Sequence, residues 1–201
     1  MRTFNKLFGI GLSRTGTTSL AAALNLIGIP TVHWPRDMSE FSTHRGAVDI
    51  TVSCRFMELD AIYPGSLFVY TCRSHGPWLS SAVAHYQLLG GDLRLPDGQK
   101  QFAQEADLRL YGGLQPDAAM LSLAYRKHAR RVGAYFRRRE SDLLRLNIAG
   151  GDGWRRLCRF LELPVLDLPF PHANAAKTHR TPVPSSPAKL VTRELSGERD
   201  D

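Results

Sequence analysis

Residues 9–20, GIGLSRTGTTSL, put two glycines five positions apart, an arginine and a run of hydroxyl side chains into one short stretch. Against the phosphate-loop pattern GxxxxGK[ST], Gly11 and Gly16 take the glycine positions, Thr17 stands where lysine belongs, and Thr18 follows. Glycine lets the backbone come close to an anion, and a helix N-terminus offers unpaired amides at the positive end of its dipole. Thr17, Thr18 and Ser19 add hydroxyl donors, and Arg14 supplies the cation that the absent lysine would bring. That lysine reaches the terminal phosphates of a nucleoside triphosphate, so its loss argues against triphosphate hydrolysis and leaves an anion cradle. The plainer reading of the same residues is a strand-to-helix turn without a ligand.

Residues 71–81, TCRSHGPWLSS, carry a second arginine, Arg73, at the end of an apolar run, with Ser81 eight positions later in a helical pattern. An arginine presents a planar fork to phosphate oxygens, and a hydroxyl on the first turns of a helix adds a donor beside it. Taken alone, Arg73 reads as half of a surface ion pair.

The elements that must position these residues follow from the hydrophobic pattern. Residues 4–12 read as a buried strand and 17–28 as a helix, so the first arginine lies in a strand–loop–helix unit. Strands are expected at 29–34, 46–50, 66–73 and 143–148, and helices at 54–65, 76–89 (starting at Pro77), 125–140 and 153–163. The basic helix spaces Tyr125, Val132, Tyr135 and Phe136 as one stripe and leaves its other faces charged. Residues 90–113, rich in glycine and short polar runs, read as an insertion or a substrate-facing lid. Strands alternating with helices argue for an α/β sandwich on a mostly parallel sheet.

A chain of 201 residues suits one domain, here 1–175; residues 176–201, rich in Pro, Ser and charge, are expected to be a flexible tail. No eighteen-residue apolar run is present, and the first apolar run is too short for a signal peptide, so a cytoplasmic protein without a membrane partner is expected. Cys54, Cys72 and Cys158 have neither CxxC nor metal-ligand spacing and read as reduced core residues. The net charge of +7 fits nucleic acid, a membrane surface or a small anion, and composition does not choose among them.

The motif SRTGTTSL resembles the 5′-phosphosulfate loop of sulfotransferases that use 3′-phosphoadenylyl sulfate, in which a basic residue precedes Ser/Thr-Gly-Thr-Thr. Arg14 stands at the basic position and Thr15, Gly16, Thr17 and Thr18 follow in step; Ser19 replaces a tryptophan common in the cytosolic branch. Arg73 and Ser81 match that family's 3′-phosphate pair, and residues 142–174 are similar to the end of a compact branch, with Gly-Trp opening a helix, then Pro-Phe-Pro and Asn. The likeness spans residues 8–174, with 90–110 poorly matched.

The resemblance implies a three-layer α/β/α fold of the phosphate-loop hydrolase type. It implies sulfuryl transfer to a hydroxyl or amine of a small-molecule or glycan acceptor, releasing adenosine 3′,5′-bisphosphate without a metal. Arg14 would stabilise the leaving oxygen, and the general base would be Asp49, with His33 as runner-up. The plainer reading of Asp49 is a helix-capping or turn residue, and Thr51 stands where relatives often have proline. His75 could assist with the nucleotide; Trp34 and Trp78 could stack on adenine, line an acceptor pocket or belong to the core. The competing readings are a degenerate-loop kinase or triphosphatase, a nucleotide-binding protein without turnover, and a nucleic-acid binder using Arg137, Arg138 and Arg139, the last being the less favoured partner.

Overall fold

Short apolar runs bounded by turns form five strands: Leu7–Gly9 (β1), Thr31–His33 (β2), Gly46–Val48 (β3), Leu67–Thr71 (β4) and Leu143–Leu146 (β5). The structure, a computed structural model, describes residues 1–89 and 96–173. Between the strands lie helices Thr17–Leu26 (α1), Ser39–Thr43 (α2), Ile50–Ser53 (α3), Phe56–Ile62 (α4), His75–Leu89 (α5), Asp97–Tyr111 (α6), Ala118–Tyr135 (α7) and Trp154–Leu161 (α8).

All pairings are parallel, in the order β2-β3-β1-β4-β5. Strand side chains alternate between faces. Leu7, Leu67, Val69, Leu144 and Leu146 therefore pack with α1 and α8, while Phe8, Phe68 and Tyr70 pack with Phe56, Val132 and Phe136 on the other side. Both faces are covered at the central strands β1 and β4, which is why these read as unbroken apolar runs. The chain leaves central β1 toward β2 and β3 and then crosses to β4 and β5, so the order reverses at β1 and a crevice opens at the strands' carboxyl ends. A third apolar cluster, including Leu12, Trp78, Tyr86 and Leu121, joins α5, α6 and α7 around this end.

Several expectations need correction. Residues 97–111, in the segment read as an insertion or lid with no helix expected there, form helix α6; its inward face holds Ala103, Ala106, Asp107 and Tyr111, a spacing of three and four too poor in large apolar residues to read as a stripe. Residues 90–95, and the tail expected at 176–201, lie outside the described residues. The helix expected over 54–65 is shorter, α4 at Phe56–Ile62, and a separate short helix, α3, precedes it at Ile50–Ser53, where the strand expected over 46–50 has already ended. Helix α7 begins well before the basic run, capped by Asp117, which accepts the Met120 amide at 2.8 Å. Val132 and Phe136 are buried as the stripe predicts, Tyr125 and Tyr135 only half so, and His128 joins them with Nε2 2.7 Å from the Ile10 carbonyl oxygen. Burial drives the His128 imidazole down to about 4. Cys54 and Cys158 are buried, Cys72 is half-buried, and all three are free thiols. No described helix is long and apolar enough to cross a membrane.

Candidate active site

The loop after β1 is shaped by its neighbours before any ligand is considered. A Cβ on Gly11 would lie 1.8 Å from the Thr71 Oγ1, so this glycine answers to the adjacent strand rather than to an anion. Thr15 is buried and staples the turn: its Oγ1 lies 2.6 Å from the Leu12 carbonyl oxygen and 2.7 Å from Thr71 Oγ1. Trp78 is fully buried, and its indole N–H donates to the Ser13 carbonyl at 2.9 Å, so it clamps the loop from the core and cannot stack on a ligand. Gly16 has φ 107° and faces Ile148, two demands that only glycine meets. Arg14 also has a positive φ, 68°.

Helix α1 starts directly after this turn with no side-chain cap and no acidic residue in its first turn. Its first amides, those of Thr17, Thr18 and Ser19, take no backbone partner among the described residues and leave the positive dipole end unanswered. Residues 13–19 form one wall of a cavity of about 290 Å³, and Arg73, at the end of β4, forms another part of it. Arg14 Nε donates to Ser81 Oγ at 3.1 Å. Ser81 thus positions Arg14 instead of standing beside Arg73 on the cavity wall. His75 is not in the cavity either: its Nε2 is 3.1 Å from Ser122 Oγ and its ring packs against Trp78 and Tyr125.

His33 and Asp49 meet because of strand register. His33 lies level with Val48 across β2 and β3, so the next residue, Asp49, emerges beside the imidazole at the strand ends. His33 Nε2 is 2.8 Å from Asp49 Oδ2, 3.1 Å from Thr18 Oγ1 and 3.4 Å from Thr17 Oγ1. Asp49 Oδ1 accepts the Ile50 amide at 2.7 Å and so caps α3, as one of its sequence readings has it. The Asp49 backbone sits at φ 101°, ψ −172°, a region that glycine alone occupies readily and that costs about 1–3 kcal/mol. The carboxylate side chain is 11% exposed and the imidazole 33%, so the histidine is the more open partner.

Four wall residues were not anticipated: His85, Ile148, Ala149 and His172. His85 also lines the cavity, one helical turn beyond Ser81, and that i, i+4 spacing was the signal available for it. Burial lowers its pKa, the Arg14 charge lowers it further, and Asp49 opposes. Ile148 lies two residues beyond the end of β5, and His172 comes from the segment after α8. The Ala173 amide donates to Ser19 Oγ at 3.1 Å and ties that segment to the start of α1. Behind the wall, Tyr86 donates to Asp107 Oδ1 at 2.7 Å, and burial pushes the Asp107 carboxyl up to about 6 against that hydrogen bond, with the Asp49 charge adding to the rise. Trp34 is half-buried against the third apolar cluster. Among the described residues, no group of three or more His, Cys, Asp or Glu is placed to hold a metal ion.

The arrangement can bind an anion at a helix start flanked by two arginines and can take a proton at an imidazole backed by a carboxylate. No curated protein matches the chain. The family model described as a sulfotransferase domain matches residues 6–45 and 36–179, which together make up most of the sequence. The chain belongs to the sulfotransferase domain family.

Proposed function

We propose that the chain moves a sulfuryl group from 3′-phosphoadenylyl sulfate to a hydroxyl or amine of an acceptor, with adenosine 3′,5′-bisphosphate as the other product. One observation carries this reading: a single cavity joins an uncapped helix start and two arginines to a His33–Asp49 pair at 2.8 Å. The amides and hydroxyls of Thr17, Thr18 and Ser19, with Arg14, suit the 5′-phosphosulfate, and Arg73 suits the 3′-phosphate. Thr15 contributes differently, since its hydroxyl and amide are both turned onto Leu12. The donor, when bound, supplies the sulfuryl group and a doubly phosphorylated leaving group.

Arg14 has its Nε fixed by Ser81, which steadies its terminal nitrogens for the charge that develops on the leaving oxygen. A preorganised donor of this kind contributes roughly 10²–10³ in kcat. No divalent cation is called for, because side chains supply the positive charge. Asp49 accepts from His33 Nε2–H, which leaves the lone pair on Nδ1. His33 then takes the acceptor's proton as its oxygen or nitrogen bonds to sulfur, and the electron pair of the broken S–O bond leaves with the bisphosphate. Asp49 orients the ring and stabilises the imidazolium.

A metal-free thermal shift compares adenosine 3′,5′-bisphosphate with AMP and with ATP plus magnesium. At a hundredfold excess over Kd, the bisphosphate should add about 2.7 kcal/mol, roughly 5–10 °C in Tm for a domain of this size. The gain should vanish in Arg14→Ala and Arg73→Ala. A shift with magnesium ATP alone, or with none of the three, overturns the reading.

A further inference from the structure

A second cavity, of about 360 Å³, opens at the sheet edge where the end of α7, the edge strand β5 and α8 meet. Arg137, Arg145 and Arg156 line it against one acidic residue, Glu140. Neither Arg137 nor Arg145 has an ion pair or hydrogen bond among the described residues, while Arg156 is steadied by Asp152 at 3.3 Å. Gly133 makes room for the arrangement: a Cβ there would lie 3.3 Å from an Arg145 guanidinium nitrogen. The floor includes Phe136 and Leu144, 1% and 8% exposed, and such an apolar base strengthens the field of cations placed above it.

The strand edge adds a backbone donor. The Leu146 carbonyl accepts the Cys72 amide, so Leu146 faces β4. Alternate residues must face away, and the Asn147 amide does so, reaching Asp152 at 2.8 Å. The Arg145 amide, two residues earlier, points out of the sheet in the same sense. Two guanidinium forks without carboxylate partners, a third held in place and an outward amide form a set that fits a tetrahedral oxyanion.

We propose that this sheet-edge cavity is an oxyanion site separate from the donor pocket, taking sulfate or phosphate as the free ion or as a monoester on a larger molecule. It stands independently of the donor assignment. Strand β5 and the turn that follows it connect the two places, with Arg145 in one cavity and Ile148 in the other.

The test follows the arginine Nε–H resonances of the full ¹⁵N-labelled chain during titration with sulfate, phosphate and glucosamine 6-sulfate, with glucosamine as control. Ionic strength is held constant with chloride. Saturable shifts at Arg137, Arg145 and Arg156 are expected, with Kd raised about tenfold or more in Arg145→Gln and unchanged in Arg138→Gln, an exposed arginine of the same run outside the cavity. Equal affinity for free sulfate and the sugar sulfate supports the site and assigns it to the ion; tighter binding of the sugar sulfate supports it and assigns it to an ester. Shifts that do not saturate, or binding that survives Arg145→Gln, overturn it. Amide signals of Thr17 and Thr18 report the donor pocket separately in the same spectra.

Discussion

The two arginine-bearing cavities are built in opposite ways. Around the cavity proposed to hold the donor, Arg14, Trp34 and Asp49 all have positive φ, and Arg14, His33 and Asp49 are each fixed by another side chain. At the sheet edge no lining residue has a positive φ, and Arg145 on β5 and Arg137 in the turn after α7 have no side-chain partners among the described residues. Strain and mutual hydrogen bonding mark a place where groups are held ready against one another; unpaired cations on unstrained backbone can attract a ligand but do not hold it to one geometry. The first should punish small changes of side chain and the second should tolerate them.

The largest expected effect is on turnover. His33→Gln should lower kcat roughly 10²–10⁴-fold with bisphosphate affinity within about twofold of wild type, as measured by single-turnover kinetics beside calorimetry. An equal loss in binding would place His33 in the cradle and erase the division of labour drawn for the pocket. Next comes Arg14→Lys. It keeps the charge but not the Nε bond to Ser81, and should still lose about 10²-fold in kcat; full activity would show that the charge alone matters and make the pocket resemble the sheet edge.

A middle-sized effect concerns pH and stability. The folded pKa of His128 is depressed to about 4, so its contribution is present above its unfolded value of 6.5 and is lost as pH falls from there toward 4. Asp107 is raised from 3.8 to about 6, so its contribution is present below 3.8 and is lost as pH rises through 6. Each is worth about 3 kcal/mol and they oppose one another. Thermal unfolding between pH 4 and 6.5 should therefore vary little in the wild type and fall steeply toward acid in Asp107→Asn; parallel curves for the two proteins would remove Asp107 from the account. The smallest effect belongs to Arg145→Gln, which should move stability by no more than about 0.5 kcal/mol, visible as a Tm within about 2 °C of wild type. A larger drop would mean that the sheet edge is structurally integrated after all.

The sequence carried the parts that repeat along the chain and missed those that arise across it. Strands β1 and β4 were legible because residues buried on both faces leave unbroken apolar runs, and the loop 13–19 because glycines and hydroxyls cluster locally. Helix α6 was missed because alanines and a buried aspartate serve as its inner face. Asp49 and His33 were each singled out, but their pairing depends on the offset between β2 and β3, which no local pattern encodes. Ser81 was placed near phosphate chemistry yet contacts Arg14 rather than Arg73, a matter of how α5 is rotated over the loop. His172 reaches the cavity only through tertiary packing, and His85 had only its i, i+4 spacing from Ser81 to mark it.

The hydrogen bond from the Ala173 amide to Ser19 spans 154 residues and gives the pocket an order of assembly. Ribosomes add about 5–20 residues per second, so the first loop to emerge waits roughly 8–30 s for the segment that closes over it. A nascent chain can pair β1 with β3 and β4 long before that, yet Ser19 remains without this partner and His172 is absent. This cavity should thus be completed late in synthesis, only after residues 172 and 173 have left the ribosome.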